Sequence, residues 1–257
     1  MTPLRILITN DDGVDAPGIA VMQEIARALS DDVWVVAPDG NQSGAAHRFT
    51  FGRELEIVPR SEGIFAIPGG SPADCVVAGM THLCRDRLPD VVLSGVNHGQ
   101  NLGDIINCSG TAAGAREGTL QGAIGIAMSQ GVDYANDPTN VRWDNARRFG
   151  AQVARSIIDH AQGRDTWFNV NFPFCATDAV SGIEVVPMQR FSRSPMRHYA
   201  SQNSGKFFIA IPETPLPLDE ARDFHLLHHA DAITVTPIAL DATDNAVVAR
   251  MAGKLVL

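Results

Sequence analysis

Asp11 and Asp12 are adjacent carboxylates followed by Gly13, and only Thr9 and Asn10 separate them from the apolar run 4–8, which only Arg5 interrupts. Two carboxylates delivered together to the end of a buried strand repel each other, and a cation between them most simply offsets that cost. Magnesium and manganese take oxygen ligands, usually one or two carboxylates completed by neutral oxygens, with waters left for a substrate phosphate. Ser43 in NQSG and Asn97 in GVN are neutral oxygens of that kind, because each follows an apolar run expected to lie near the first. The plainer alternative is an ordinary polar turn with Asp11 capping locally.

Ser109, Gly110 and Thr111 precede a segment of small residues that reads as a helix to about residue 121. Hydroxyls and free N–H groups at a helix start form an anion site, since that end carries partial positive charge. A simple N-cap by Ser109 explains the same residues, and the two roles are compatible. His47 and His98 lie in the same loops as candidate acid, base or substrate contacts, with solvated loop histidines as the competing account. His228 and His229 read as an exposed pair, and Arg190, Arg193, Arg197 and His198 as a basic, solvated loop within reach of a phosphate.

These residues need a scaffold that gathers loops. Short apolar runs at 33–37, 89–94, 123–128 and 168–172 have the near-continuous hydrophobicity of parallel strands covered on both faces. Helical periodicity over 17–29, from Ser71 and Pro72 through Leu83, and over 140–161 places helices between them. Residues 55–58 and 63–67 suggest a hairpin. The alternation implies an α/β fold with a doubly wound, mostly parallel sheet flanked by helices, where ligands sit beyond the carboxyl ends of the strands. After about Cys175 strands are expected at 182–188, 207–211 and 232–237, interrupted by the Pro-rich 213–221. The expected division is a catalytic domain over 1–175 and a β-rich extension over 176–257, serving as an oligomerisation arm with a closing strand.

The chain has 257 residues, 45% of them hydrophobic, enough for a full core. Its 29 acidic and 20 basic residues give a formal net charge of -9, which argues against a long nucleic acid as partner. No signal peptide or membrane-spanning run is read, so a soluble, cytoplasmic protein is expected. Cys75, Cys84, Cys108 and Cys175 lack C-x-x-C spacing and are expected as free thiols. There is no G-x-x-x-x-G-K-[ST] loop, no G-x-G-x-x-G after the first strand and no G-x-S-x-G elbow. A covalent aspartyl-phosphatase of the haloacid dehalogenase kind needs D-x-D-G, but Asn10 stands two before Asp12.

Five motifs in order, ITNDDGVDAPGI, APDGNQSGAA, GSPADCV, LSGVNHGQNLGD and SGT, followed by NVNFP and ITVTP, make the chain resemble the SurE (stationary-phase survival) family of metal-dependent nucleotidases. The resemblance implies a Rossmann-like fold, a C-terminal extension that builds homodimers or homotetramers, and hydrolysis of nucleoside 5'- and 3'-monophosphates. It implies one divalent cation per subunit, Mg or Mn, on Asp11, Asp12, Ser43 and Asn97. Asn101 with Ser109, Gly110 and Thr111 matches the phosphate-binding and catalytic surroundings. In the mechanism this suggests, a metal-activated water attacks in line; a variant makes Asp11 or Asp12 a base toward that water. Where the family commonly reads NLGDDVIYSGT, this chain loses an acidic residue at Ile105 and an aromatic at Cys108, neither a metal ligand. The alternatives are a broad acid phosphatase or exopolyphosphatase, and a non-catalytic nucleotide- or metal-binding regulatory protein.

Overall fold

The computed structural model describes residues 3–134, 136–137, 139–210 and 217–255. Strands β1 (Arg5–Thr9), β2 (Asp32–Pro38), β5 (Val91–His98), β6 (Ile124–Gln130) and β7 (Thr166–Phe172) form the centre of one sheet. Its nine-strand order is completed by β3 (Val58–Ser61), β4 (Ile64–Ile67), β8 (Gly182–Val185) and β11 (Ala232–Ala239), and reads β3-β4-β2-β1-β5-β6-β7-β11-β8. From β4 to β7 every pairing is parallel. Antiparallel partners occur only toward the flanks, β3 on β4 and β11 on β7. This is the doubly wound, mostly parallel α/β architecture that the alternating apolar runs imply, and the Rossmann-like fold that the family resemblance implies.

Side-chain alternation splits the core into layers. Ile6 and Ile8 of β1 face α1 (Pro17–Arg27) and α4 (Asp144–His160), while Leu7 faces the opposite layer, built from α2 (Pro72–Ala78) and α3 (Gly110–Leu120). Pro17 starts α1, where a missing N–H costs nothing. At α2, Ser71 and Asp74 form a reciprocal capping box. The periodicity through Met80 and Leu83 continues as a wider π-type turn over Gly79–Leu83. A Cβ on Gly79 would lie 2.7 Å from a Leu7 methyl, so the chain approaches β1 too closely for a side chain there. Helix α4 begins later than expected, at Asp144.

The C-terminal third departs further from its sequence pattern. β8 ends at Val185, and β11 inserts between β7 and β8 within the main sheet. A separate hairpin pairs β9 (Arg197–Ala200) with β10 (Phe207–Ala210). Neither β9 nor the helices α5 (Asp223–His229) and α6 (Asn245–Met251) has a counterpart in the expected elements. The last residue of the expected strand over 207–211 and the first four of the Pro-rich segment lie outside the described residues. All four cysteines are unpaired, Cys75 and Cys84 in the core. Among the described residues no helix is long and apolar enough to cross a membrane.

Candidate active site

The sheet reverses its order of winding at β1, with β2 on one side and β5 on the other. The loops leaving these three strands therefore open on one edge, the place where α/β sheets bind ligands. Asn10, fully buried, closes the acidic loop on itself: its side-chain amide donates to the Gly13 carbonyl (2.8 Å) and its oxygen accepts the Gly13 N–H (3.2 Å). Gly13 has φ +112, and a Cβ there would lie 3.1 Å from the Gly40 backbone. The loop after β2 is tied in by the Gln42 N–H on the Asp11 carbonyl (2.7 Å) and the Ala46 N–H on the Cys108 carbonyl (3.2 Å). Ser43, exposed, is one residue from the first of these ties.

Asp11 is only 4% exposed. Burial pushes its carboxyl above the usual carboxylate range, opposed by the Thr111 hydroxyl, which donates at 2.5 Å, and by the N–H groups of Gly110 and Thr111. Helix α3 thus aims its positive end at Asp11. Burial also raises the Asp12 carboxyl, and the charge of Asp11 raises it further, while the His98 N–H at 3.2 Å pulls the other way. Among the described residues neither aspartate forms an ion pair with Lys or Arg. The pair is a desolvated concentration of negative charge with an open demand for a cation.

The surrounding donors fit a hard metal. Among the described residues no cluster of three or more His, Cys, Asp or Glu side chains could hold one, so neutral oxygens must complete any set built on Asp11 and Asp12. Asn97 spends its amide hydrogens on the carbonyls of His98 and Gly99, leaving its side-chain oxygen as an acceptor at the same edge. Ser43 can offer its hydroxyl.

The other expected contacts are placed as follows. Ser109 caps α3 by accepting the Ala112 N–H at 3.0 Å, which leaves its own hydroxyl hydrogen to donate. Thr111 commits its hydroxyl to Asp11 rather than to open space. Asn101 donates one amide hydrogen to Ser129 Oγ (2.9 Å). His47 is paired with the buried Glu117 of α3 at 2.9 Å. His228 and His229 are exposed on α5, with His228 Nε2 3.4 Å from the Gln100 amide. Arg190 pairs with Asp104 at 2.9 Å, at the root of the arm.

Sequence reasoning assigned no role to Asn169 and Asn171, although both fall in NVNFP, and none to Asp223. The first two bond the Asn101 peptide, and the last accepts N–H groups from Gly103, Gln189 and Phe224. The signal for the asparagines was present in FNVNF, where polar residues alternate along one face of a core strand. Asp223 had none, because its partners are distant backbone groups. A cleft of about 250 Å³ lies beside Asp12, lined in part by His98, Val141 and Trp143. A second, of about 170 Å³, runs past Ser109, His47, Arg116 and Trp167.

Known proteins share this fold and much of this sequence. The family model described as "Survival protein SurE" matches residues 6–195. A "5'-nucleotidase SurE" from Rhodopseudomonas palustris is 42% identical over 98% of this chain and 100% of its own length. Another from Methylobacterium sp. is 40% identical over 98% of this chain and 100% of its own. The crystal structure of SurE from Aquifex aeolicus superposes with a TM-score of 0.84 at 30% identity, covering 97% of this chain and 98% of that one. A family model spanning most of the chain, full-length relatives and a shared fold together make this chain a member of the SurE family.

Proposed function

We propose that this chain is a divalent-metal-dependent phosphomonoesterase that hydrolyses nucleoside 5'- or 3'-monophosphates to nucleoside and inorganic phosphate. The observation that carries the reading is the pair of adjacent carboxylates, Asp11 buried against the start of α3 and Asp12 half-buried beside His98, with no Lys or Arg paired to either among the described residues. The names of the full-length relatives support the choice of substrate. In the reaction an oxygen–phosphorus bond forms from water, the ester P–O bond breaks in line, and the nucleoside leaves as its alcohol after gaining a proton. When held by Asp11, Asp12, Ser43 and Asn97, one Mg²⁺ or Mn²⁺ per subunit would lower the pKa of that water and neutralise phosphate charge.

The remaining chemistry belongs to the chain. Thr111 and the first N–H groups of α3 orient Asp11 and oppose the upward push of burial on its carboxyl. The Ser109 hydroxyl hydrogen and the second amide hydrogen of Asn101 are donors for phosphoryl oxygens, the kind of fixed stabilisation that dominates phosphoryl transfer. Gly110 and Thr111 add the positive field of the helix start to the same spot. The two clefts give room for a nucleoside beside the phosphate. In a variant of this scheme Asp11 or Asp12 takes the proton from the water.

The exposed hairpin carries Phe207, Phe208 and Ile209 at 58, 64 and 66% exposure, which supports its use as an arm between copies in a homodimer or homotetramer. Unpaired cysteines suit a reducing compartment, and we place the enzyme in the cytoplasm. The deciding experiment is a phosphate-release screen across nucleoside monophosphates and short polyphosphates with Mg, Mn, Co, Zn or no metal, run on wild type and Asp12→Asn. Metal-dependent release from nucleoside monophosphates, lost in Asp12→Asn, is the expected result. Release that survives chelation or Asp12→Asn refutes the proposal, and a phosphorylated enzyme trapped during turnover refutes direct water attack.

A further inference from the structure

Strand β7 carries Asn169 and Asn171 in an otherwise apolar run, at 1% and 0% exposure. Asparagine is disfavoured within strands, and a buried carboxamide demands partners. Both side chains find theirs on a single residue of the site loop. Asn171 accepts the Asn101 N–H at 2.8 Å and donates to the Asn101 carbonyl at 2.9 Å, so its amide orientation is fixed by complementary bonds to one residue. Asn169 donates to that same carbonyl at 2.8 Å. Ser129 of β6, the register neighbour of Asn171, accepts from the Asn101 side chain at 2.9 Å.

Main chain and side chain of Asn101 are thus held by three side chains from two core strands. The loop itself supplies little rigidity: Gly99 and Gly103 flank Asn101 at φ +99 and +54. Stability alone does not account for the arrangement. Among the described residues the Asn169 oxygen is buried without a hydrogen-bond partner, while the neighbouring Val170 and Phe172 fill the strand with apolar side chains and leave nothing unsatisfied. An uncompensated acceptor is retained where its amide end reaches the site loop, the pattern expected where placement of a functional group takes precedence over packing.

We propose that Asn171, seconded by Asn169 and Ser129, is a positioning residue that sets Asn101 for contact with the phosphate. It does not touch substrate. The inference rests on the reading of Asn101 as a phosphate contact, and the two fail differently. Phosphate release from a nucleoside monophosphate at saturating Mn²⁺ is measured for Asn101→Ala, Asn171→Ala, Ser129→Ala and the double variant Asn101→Ala/Asn171→Ala. Calorimetric Mn²⁺ affinity and the thermal midpoint are measured alongside.

Asn171→Ala should lower kcat about 10- to 100-fold, the range for a misplaced contact. Mn²⁺ affinity should stay within about threefold, because Asn171 is not a metal ligand. In the Asn101→Ala background the same substitution should cost less than about twofold, since a group already removed cannot be misplaced. Multiplicative losses in the double variant overturn the positioning role while leaving the phosphate contact standing. Wild-type activity in Asn101→Ala overturns the contact itself. Should Asn171→Ala not fold, Ser129→Ala decides: it frees only the Asn101 side chain, so a fall in kcat supports the inference and wild-type kcat overturns it.

Discussion

Gly110→Ala sets helix propensity against the geometry of the site. Gly110 is the first residue of α3, where alanine is ordinarily the better helix former by about 0.5–1 kcal/mol. A Cβ at that position would lie 2.7 Å from Asp11 Cβ and 2.8 Å from Asp11 Oδ2. Restoring an ordinary contact of 3.4 Å requires a displacement of about 0.7 Å by the carboxylate or by the helix start. Neither side yields easily. Asp11 is bonded to Thr111 and Gln42, and one turn along α3 a Cβ on Gly114 would already lie 2.6 Å from Ser94 Oγ. Misplacing a reacting group by close to 1 Å costs about 100-fold, or about 2.7 kcal/mol of barrier. The expected outcome is a 10- to 100-fold fall in kcat/KM for a nucleoside monophosphate together with weaker Mn²⁺ binding, and a melting temperature lower by a few degrees, because an overpacking cost of about 1–3 kcal/mol exceeds the propensity gain. Gly40→Ala is the control, because among the described residues a Cβ there meets nothing within 4 Å. Phosphate-release kinetics and calorimetric Mn²⁺ titration of both variants provide the assay. Wild-type kcat/KM and Mn²⁺ affinity in folded Gly110→Ala would refute the argued contact between α3 and Asp11.

Divalent cation should stabilise the fold, since it relieves the Asp11–Asp12 repulsion: at 100 times its Kd, Mn²⁺ adds about 2.7 kcal/mol, a rise of several degrees that Asp11→Asn and Asp12→Asn should abolish in a thermal melt. Equal melting temperatures in chelator and in Mn²⁺ would count against a metal site there. Burial alone would raise the Asp74 carboxyl, but hydrogen bonds from Ser71 and Thr50 outweigh it and hold it below the usual range. Its contribution is therefore present above the unfolded-state pKa of about 4 and lost as pH falls through the lower folded value. Asp74→Asn should cost about 1 kcal/mol in urea titrations at pH 7 and progressively less toward pH 3, and a pH-independent difference would contradict this. Asp223→Ala strands the N–H groups of Gly103, Gln189 and Phe224, so a loss of at least about 2 kcal/mol and faster hydrogen exchange at those three amides are expected; unchanged exchange would show the carboxylate is not their anchor.

Legibility in the sequence followed the range of the forces involved. β1, β2, β6 and β7 lie within two residues of their apolar runs, because a parallel strand buried on both faces admits few polar residues. Ser71 and Ser109 were readable as caps because capping is decided within four residues. At the site, the loops after β1, β2 and β5 were legible as neighbours, since parallel strands send their loops to one edge. Which group each hydroxyl serves was not, and Thr111 turns to Asp11 through an approach of α3 that depends on Gly110 lacking a side chain. α5 was missed because only Asp223, Phe224 and Leu227 of its seven residues are buried, too short a stripe to establish a period. Ile105, which replaces an acidic residue of the family pattern, packs in the apolar cluster of Leu102, Phe224 and Leu227, a context visible only once α5 is placed.

The insertion of β11 between β7 and β8 sets the order in which a growing chain can complete its sheet. β7 ends at Phe172 and β11 begins at Ala232, roughly sixty residues later, and β8, though made sooner, pairs among the described residues with β11 alone. At about 5–20 residues per second, a nascent chain carries the outer edge of β7 unpaired for about 3 to 12 seconds after that strand is made. An open edge in a hydrophobic strand is a template for pairing with other chains. Translation of this protein therefore passes through a window of aggregation risk that closes only when residues 232–239 arrive, and a ribosome stalled before them holds a seven-strand sheet with an open edge whose best available partner is another copy of itself.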